Sequence, residues 1–238
     1  MNSNALSFIK NRKEKISLTQ KRVKDILTCV INSYEKTIAD KVTYDLSPLK
    51  IGKINKENYL RNRLVDNYLV NELNLFDCGT NRFTVNKEVS EEYRGLNDDL
   101  LHNDPIDIHI VDNAHKESWG NNTKPYFAIE CKRFKSLSVT EYVKDTQKFT
   151  ERNYSKLRLP FEGQLGFIEN PSLTHLKIKE TINQNLSSNS NIKTIKKLDS
   201  YLIKENFDAS YLSEHNKKDN SSFSVFHLFF DYSKIVLN

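Results

Sequence analysis

The chain is poor in residues that commonly signal a disulfide-stapled fold or a ready-made cofactor loop: three cysteines, six glycines and five prolines in 238 residues. Cys29, Cys78 and Cys131 are odd in number and far apart. That argues against a disulfide framework and against CxxC metal pairs, and it fits a reducing, cytoplasmic setting. No apolar run approaches the roughly 20 residues needed to span a bilayer. The opening "MNSNALSFIKNRKEKISLTQ" has no apolar h-region, so neither a membrane span nor a secretory signal is expected. HExxH, P-loop, GxGxxG and GxSxG patterns are missing, which leaves zinc-protease, NTPase, Rossmann and α/β-hydrolase readings without their carriers. Internal repeats and long linkers are missing too.

What remains is an ordinary globular composition, 37% hydrophobic and 28% charged. The net charge of +5 permits a polyanionic partner without requiring one. Basic residues crowd two places: Lys10, Arg12, Lys13, Lys15, Lys21, Arg22 and Lys24 near the start, and Lys132, Arg133 and Lys135 further on. The plain reading of the first cluster is a solvated helix face.

Periodicity sets the element order. Residues 16–40 place Val23, Ile26, Leu27, Val30 and Ile31 at helical spacing, and "SPLKIG" at 47–52 ends that helix. Residues 55–73 form a second helix with Asn55 placed to cap it. Residues 82–93 alternate as a strand or hairpin. "DPIDIHIVD" (104–112) is a strand with Ile106, Ile108 and Ile110 on one side and Asp107 and His109 on the other. "YFAIECKRF" (126–134) is the next strand, residues 138–157 a third helix, and "GQLGFIE" (163–169) a buried strand. A helix near 172–185, a polar stretch and two strands at 207–215 and 222–232 complete the chain. This is a mixed α/β chain with one core sheet. Residues 1–46 are expected to form an N-terminal helical extension and 47–238 the main domain, with its core over about 55–170 and its C-terminal strands over 207–232.

The strand 126–134 poses a question. It is apolar enough to be covered, yet it carries Glu130 and Lys132, and burying charge is costly unless the charge is paired or holds a metal. A two-residue step is about 6.6 Å, so both side chains project the same way. If the preceding strand pairs with this one, Asp107 joins them. Two converging carboxylates repel, and a divalent cation resolves the repulsion. Mg²⁺ suits one or two carboxylates completed by water and a phosphate oxygen. Glu130-Cys131-Lys132 is the one acid-x-Lys match in the chain. The bland alternative is a solvated salt bridge at a sheet edge. His109, on the face of Asp107, and the pair His215 and His227, flanking the C-terminal turn, read more simply as packed residues.

Asp107 followed by Glu130-x-Lys132 on the next strand resembles the PD-(D/E)xK nuclease superfamily, whose fold is called restriction-endonuclease-like. The resemblance spans roughly residues 55–170 and includes the order helix, hairpin, strand, strand, helix, strand. One departure is that Pro105 stands two residues before Asp107 rather than next to it, and Asp104 is the fallback acid. The resemblance implies a mixed central sheet flanked by helices, here with an N-terminal helix and a C-terminal β-hairpin added. It implies Mg²⁺, replaceable by Mn²⁺, held by Asp107, Glu130, the Cys131 carbonyl and Glu57. Lys132 would act beside the scissile phosphate, and Gln147 would be a polar site residue on the following helix. The implied activity is endonucleolytic cleavage of nucleic acid, DNA ahead of RNA, in restriction or phage defence within bacteria. Members that cut both strands often form homodimers. The contrasting reading is a module of the same fold that binds nucleic acid or a protein partner without cutting.

Overall fold

A computed structural model describes residues 3–80, 82–113, 125–154 and 158–237, with side chains from residue 19 onward. The side chains of Lys10, Arg12, Lys13 and Lys15, and residues 114–124 with His115, lie outside the described residues. Among the described residues, no helix is long and apolar enough to cross a membrane.

The chain opens with α1 (Ser3–Ala39), a two-residue strand β1 (Tyr44–Asp45) and a single turn α2 (Pro48–Ile51). The helical stripe read from the sequence is the buried one: Val23, Ile26, Leu27, Val30 and Ile31 are at most 1% exposed. They belong to the same apolar cluster as Phe127, Ile129, Cys131 and Phe230. This packing crosses the boundary expected at residue 46. So does β1, which pairs in parallel with β10 (Val236–Leu237) at the far end of the chain. α3 (Lys56–Leu64) starts at Asn55, whose side chain accepts the Glu57 N–H at 2.8 Å. It runs through a π turn over Val65–Leu69 into α4 (Val70–Phe76).

The main sheet has eight strands in the order β5-β2-β3-β4-β6-β9-β8-β7, curled and flanked by helices. β2 (Phe83–Gly95), β3 (Leu101–Asp112) and β4 (Tyr126–Phe134) form an antiparallel meander. α5 (Thr140–Glu151) then crosses over, and after the short β5 (Arg152–Asn153) the chain enters β6 (Arg158–Ile168), parallel to β4. α6 (His175–Ser188), β7 (Lys193–Ser200), β8 (Ser210–Asn216) and β9 (Ser222–Asp231) follow, with β9 parallel to β6. The C-terminal hairpin thus continues the core sheet rather than standing beside it. Gly166 on β6 has no room for a side chain: a Cβ there would lie 2.5 Å from the Phe134 ring and 2.7 Å from that of Phe229. Its absence lets two aromatic rings close over β6 next to Lys132, its register partner.

Candidate functional site

The alternation of β4 buries Phe127, Ile129 and Cys131 at 0–1% exposure on one face and aims Glu130 and Lys132 from the other. The β3–β4 ladder runs from Val111↔Tyr126 to Ile108↔Ile129 and stops there. The next position in that register sets Asp107 against Glu130. The ladder ends because the Asp107 side chain replaces a backbone acceptor: its Oδ2 takes the Cys131 N–H at 2.8 Å. Its Oδ1 accepts from Arg61 Nη1 of α3 at 2.7 Å. Arg61 is 1% exposed and also reaches Glu88 at 3.0 Å. Glu88 takes a left-handed backbone conformation, φ 52°, at the β2 position opposite Asp107, where the β2–β3 pairing skips a residue.

Lys132 turns its ammonium into the same space. Its Nζ lies 2.9 Å from the Cys131 carbonyl oxygen, 3.1 Å from Asp145 Oδ2 and 3.4 Å from Glu57 Oε1. The Asp145 contact is an ion pair off the hydrogen-bonding direction, so that buried oxygen has no hydrogen bond. Asp145 Oδ1 accepts from Lys148 at 3.0 Å. Burial alone would push the Lys132 ammonium down, but Asp145 and Glu57 beside it outweigh that and hold its pKa above the ordinary lysine value. The Glu57 carboxyl is raised by burial, with Lys132 opposing.

Glu57, Asp107, Glu130, Lys132 and Asp145 line one cleft of about 210 Å³, with Asp104, Pro105, Lys148, Phe149 and Arg152 completing its walls. Asp104, the fallback acid, is neutralised by Arg152. Glu130 is the exception among these acids. Among the described residues no donor bonds its carboxylate and no cation pairs with it. Burial first, then Asp107 and Asp145, push its pKa up to about 8. Four carboxylates share this space with three cations, Lys132, Arg61 and Lys148.

The sequence-predicted residues Asp107, Glu130, Lys132 and Glu57 therefore meet at one place, with the Cys131 backbone beside them. Gln147 does not join them. α5 turns Asp145, Lys148 and Phe149 to the cleft, and Gln147 points aside, its amide donating to Glu151 at 2.9 Å. The polar contribution of α5 comes from Asp145, which the sequence reading missed. Its signal was present: Asp145 sits with Tyr142, Thr146 and Phe149 on the buried stripe of an amphipathic helix, a charge where an apolar residue was due. Arg61 was missed for the same reason, as a charge on the buried side of α3. His109 packs its ring on Tyr126, 4.5 Å between centroids, and does not line the cleft.

The donors here are oxygens of the kind that hold Mg²⁺ or Mn²⁺, and Glu130 is a carboxylate left without a partner, so the chemistry of the set fits a hard divalent ion. Among the described residues, no group of three or more histidine, cysteine or acidic side chains is already gathered at metal distance. The physical reason is visible: Arg61 holds Asp107, and the Lys132 ammonium occupies the Cys131 carbonyl and draws Glu57 and Asp145 to itself. No protein-family model matches the chain, and no curated protein or solved structure matches it.

Proposed function

We propose that this protein is a divalent-metal-dependent nuclease that hydrolyses phosphodiester bonds in nucleic acid, DNA ahead of RNA, on a restriction-endonuclease-like core. The observation that carries the reading is the donorless Glu130 carboxylate, set against Asp107 where the β3–β4 ladder opens, in a cleft that also holds Lys132. The element order α3, β2–β3, β4, α5, β6 supports the fold reading. Asp107 and Glu130 would hold the ion, with the Cys131 carbonyl and Glu57 as further oxygens. Bound there, the ion supplies polarisation of the phosphoryl oxygen, a more acidic water and neutralisation of the charge that builds on the phosphorane. Arg61 fixes the Asp107 carboxylate in place through a buried contact. Lys132, released from the Cys131 carbonyl, presents a cation to the scissile phosphate or the attacking water. Asp145 and Glu57 keep that lysine charged and aimed into the cleft.

The test is Mg²⁺-dependent cleavage of plasmid, single-stranded DNA and RNA by the wild type beside Lys132→Ala. The variant is expected to lose at least about a hundredfold in rate, the size of a removed transition-state cation. The second reading, a binding module that does not cut, is favoured by the double hold on Asp107 and by the ammonium on the Cys131 carbonyl. Its signature is wild-type binding that survives EDTA, with no cleavage of any of the three substrates in Mg²⁺ or Mn²⁺.

A further inference from the structure

We infer that Lys56 and Lys135 form a binding site for a backbone phosphate of the DNA strand leaving the cleft, a reading that rests on the nuclease proposal. Lys56 opens α3 one residue before Glu57, and Lys135 follows the last residue of β4, three positions beyond Lys132. The two line an open groove of about 380 Å³ together with Glu169, Asn170 and Pro171. Asn170 holds the Lys135 backbone in place, its Nδ2 donating to the Lys135 carbonyl at 3.0 Å.

The charges in this groove are unbalanced. Its acid, Glu169, is 5% exposed and already taken by Arg133, with Nη2 to Oε2 at 2.6 Å. Lys56 and Lys135 make no ion pair within 4.0 Å of a carboxylate among the described residues. Burial, then Arg133, hold the Lys135 ammonium below its ordinary value against the opposing pull of Glu169, with Lys56 a smaller contributor. The positive end of α3 adds to the same field. An anion placed between the two lysines relieves all of this.

Position says which anion. Three residues of extended chain separate Lys135 from Lys132 by about 10 Å, a distance spanned by up to three phosphates along one strand of a duplex. Among the described residues that line the cleft, the cations on the opposite rim are already paired, Lys148 with Asp145 and Arg152 with Asp104. The strand therefore leaves the cleft toward α3 and the end of β4.

The experiment is fluorescence anisotropy of a short labelled DNA duplex in Ca²⁺, over a range of KCl, with the double variant Lys56→Ala, Lys135→Ala. The expected result is a Kd raised roughly tenfold and a salt slope reduced by about two, one for each lost phosphate contact. Replacing both lysines by arginine should restore binding. A control with equal charge loss at the far end of the sheet, Lys193→Ala with Lys197→Ala on β7, should leave the slope unchanged. The inference is overturned if the Lys56/Lys135 variant keeps the wild-type slope, or if the β7 control loses as much. Failure of the wild type to bind duplex sinks this site, and failure to cleave plasmid, single-stranded DNA and RNA as well would sink the nuclease reading with it.

Discussion

Glu130 on β4, Gln164 on β6 and His227 on β9 lie side by side in register across the sheet, and their surroundings differ sharply. Gln164 accepts from the Thr146 hydroxyl at 3.1 Å and donates to the Tyr142 carbonyl at 3.0 Å. His227 shares hydrogen bonds with the Tyr142 hydroxyl at 2.9 Å and the Ser213 hydroxyl at 2.8 Å. Ser213 passes the chain to His215 at 2.8 Å, and His215 passes it to Thr194 at 3.2 Å. A single directed run of protons satisfies every atom from Tyr142 to Thr194 with both imidazoles neutral. Burial keeps them that way, holding His215 at about 4 and His227 well below its ordinary value. The same sheet, covered by the same helix α5, thus completes every partner at β9 and leaves a carboxylate bare at β4. Polar groups in native interiors usually have partners, which is why the proposed ion is placed at Glu130.

The largest effect expected from breaking this contrast is at Glu130. Glu130→Gln should reduce Mg²⁺-dependent cleavage at least about a hundredfold while raising stability near neutral pH, because it removes a half-buried carboxyl crowded by Asp107 and Asp145. The sign follows from linkage. A carboxyl raised from 4.5 to about 8 in the folded state binds its proton more tightly there than in the unfolded chain. Wild-type stability should then fall as pH rises from about 4.5 to about 8. Chemical denaturation across that window should show the decline in the wild type and its absence in the variant.

Where β8 meets β9 the same kind of change should act in the opposite direction. Ser213→Ala strips a partner from two buried imidazoles and should destabilise by about 1–3 kcal/mol, read as a lower midpoint in urea. Both histidines are depressed in the fold. Their contribution is therefore present above the ordinary value of 6.5 and lost as pH falls below it. The smallest effect belongs to Gln147, whose amide makes an (i, i+4) contact with Glu151. Gln147→Ala should change stability by less than about 0.5 kcal/mol and leave cleavage unaltered in the plasmid assay.

Much of this was legible in the sequence because it depends on local periodicity. The strand "YFAIECKRF" matches β4 at both ends, and the charges on its covered face led to the cleft. What escaped depends on distance along the chain. β1 and β10 are two residues each and pair across nearly the whole sequence, so neither has a period to read. β7 read as a polar connector because it is a sheet edge: only Leu198 in it is buried, and its lysines are what edges carry. The C-terminal hairpin was recognised, but alternation cannot say that β9 would insert beside β6. In α5 the expected residue, Gln147, sits two positions from the acid that lines the cleft, Asp145, a rotation of about 200° on a helix. That placed Gln147 outside the cleft and Asp145 within it.

Thermal unfolding of the wild type and Glu130→Gln with increasing Mn²⁺ tests the central claim most directly, since it reads ion binding without cleavage. The account predicts wild-type stabilisation that grows with concentration, reaching about 2.7 kcal/mol at a hundredfold excess over Kd, and no such gain in the variant. A wild type that melts at the same temperature at every Mn²⁺ concentration, or a variant that gains as much, would contradict it.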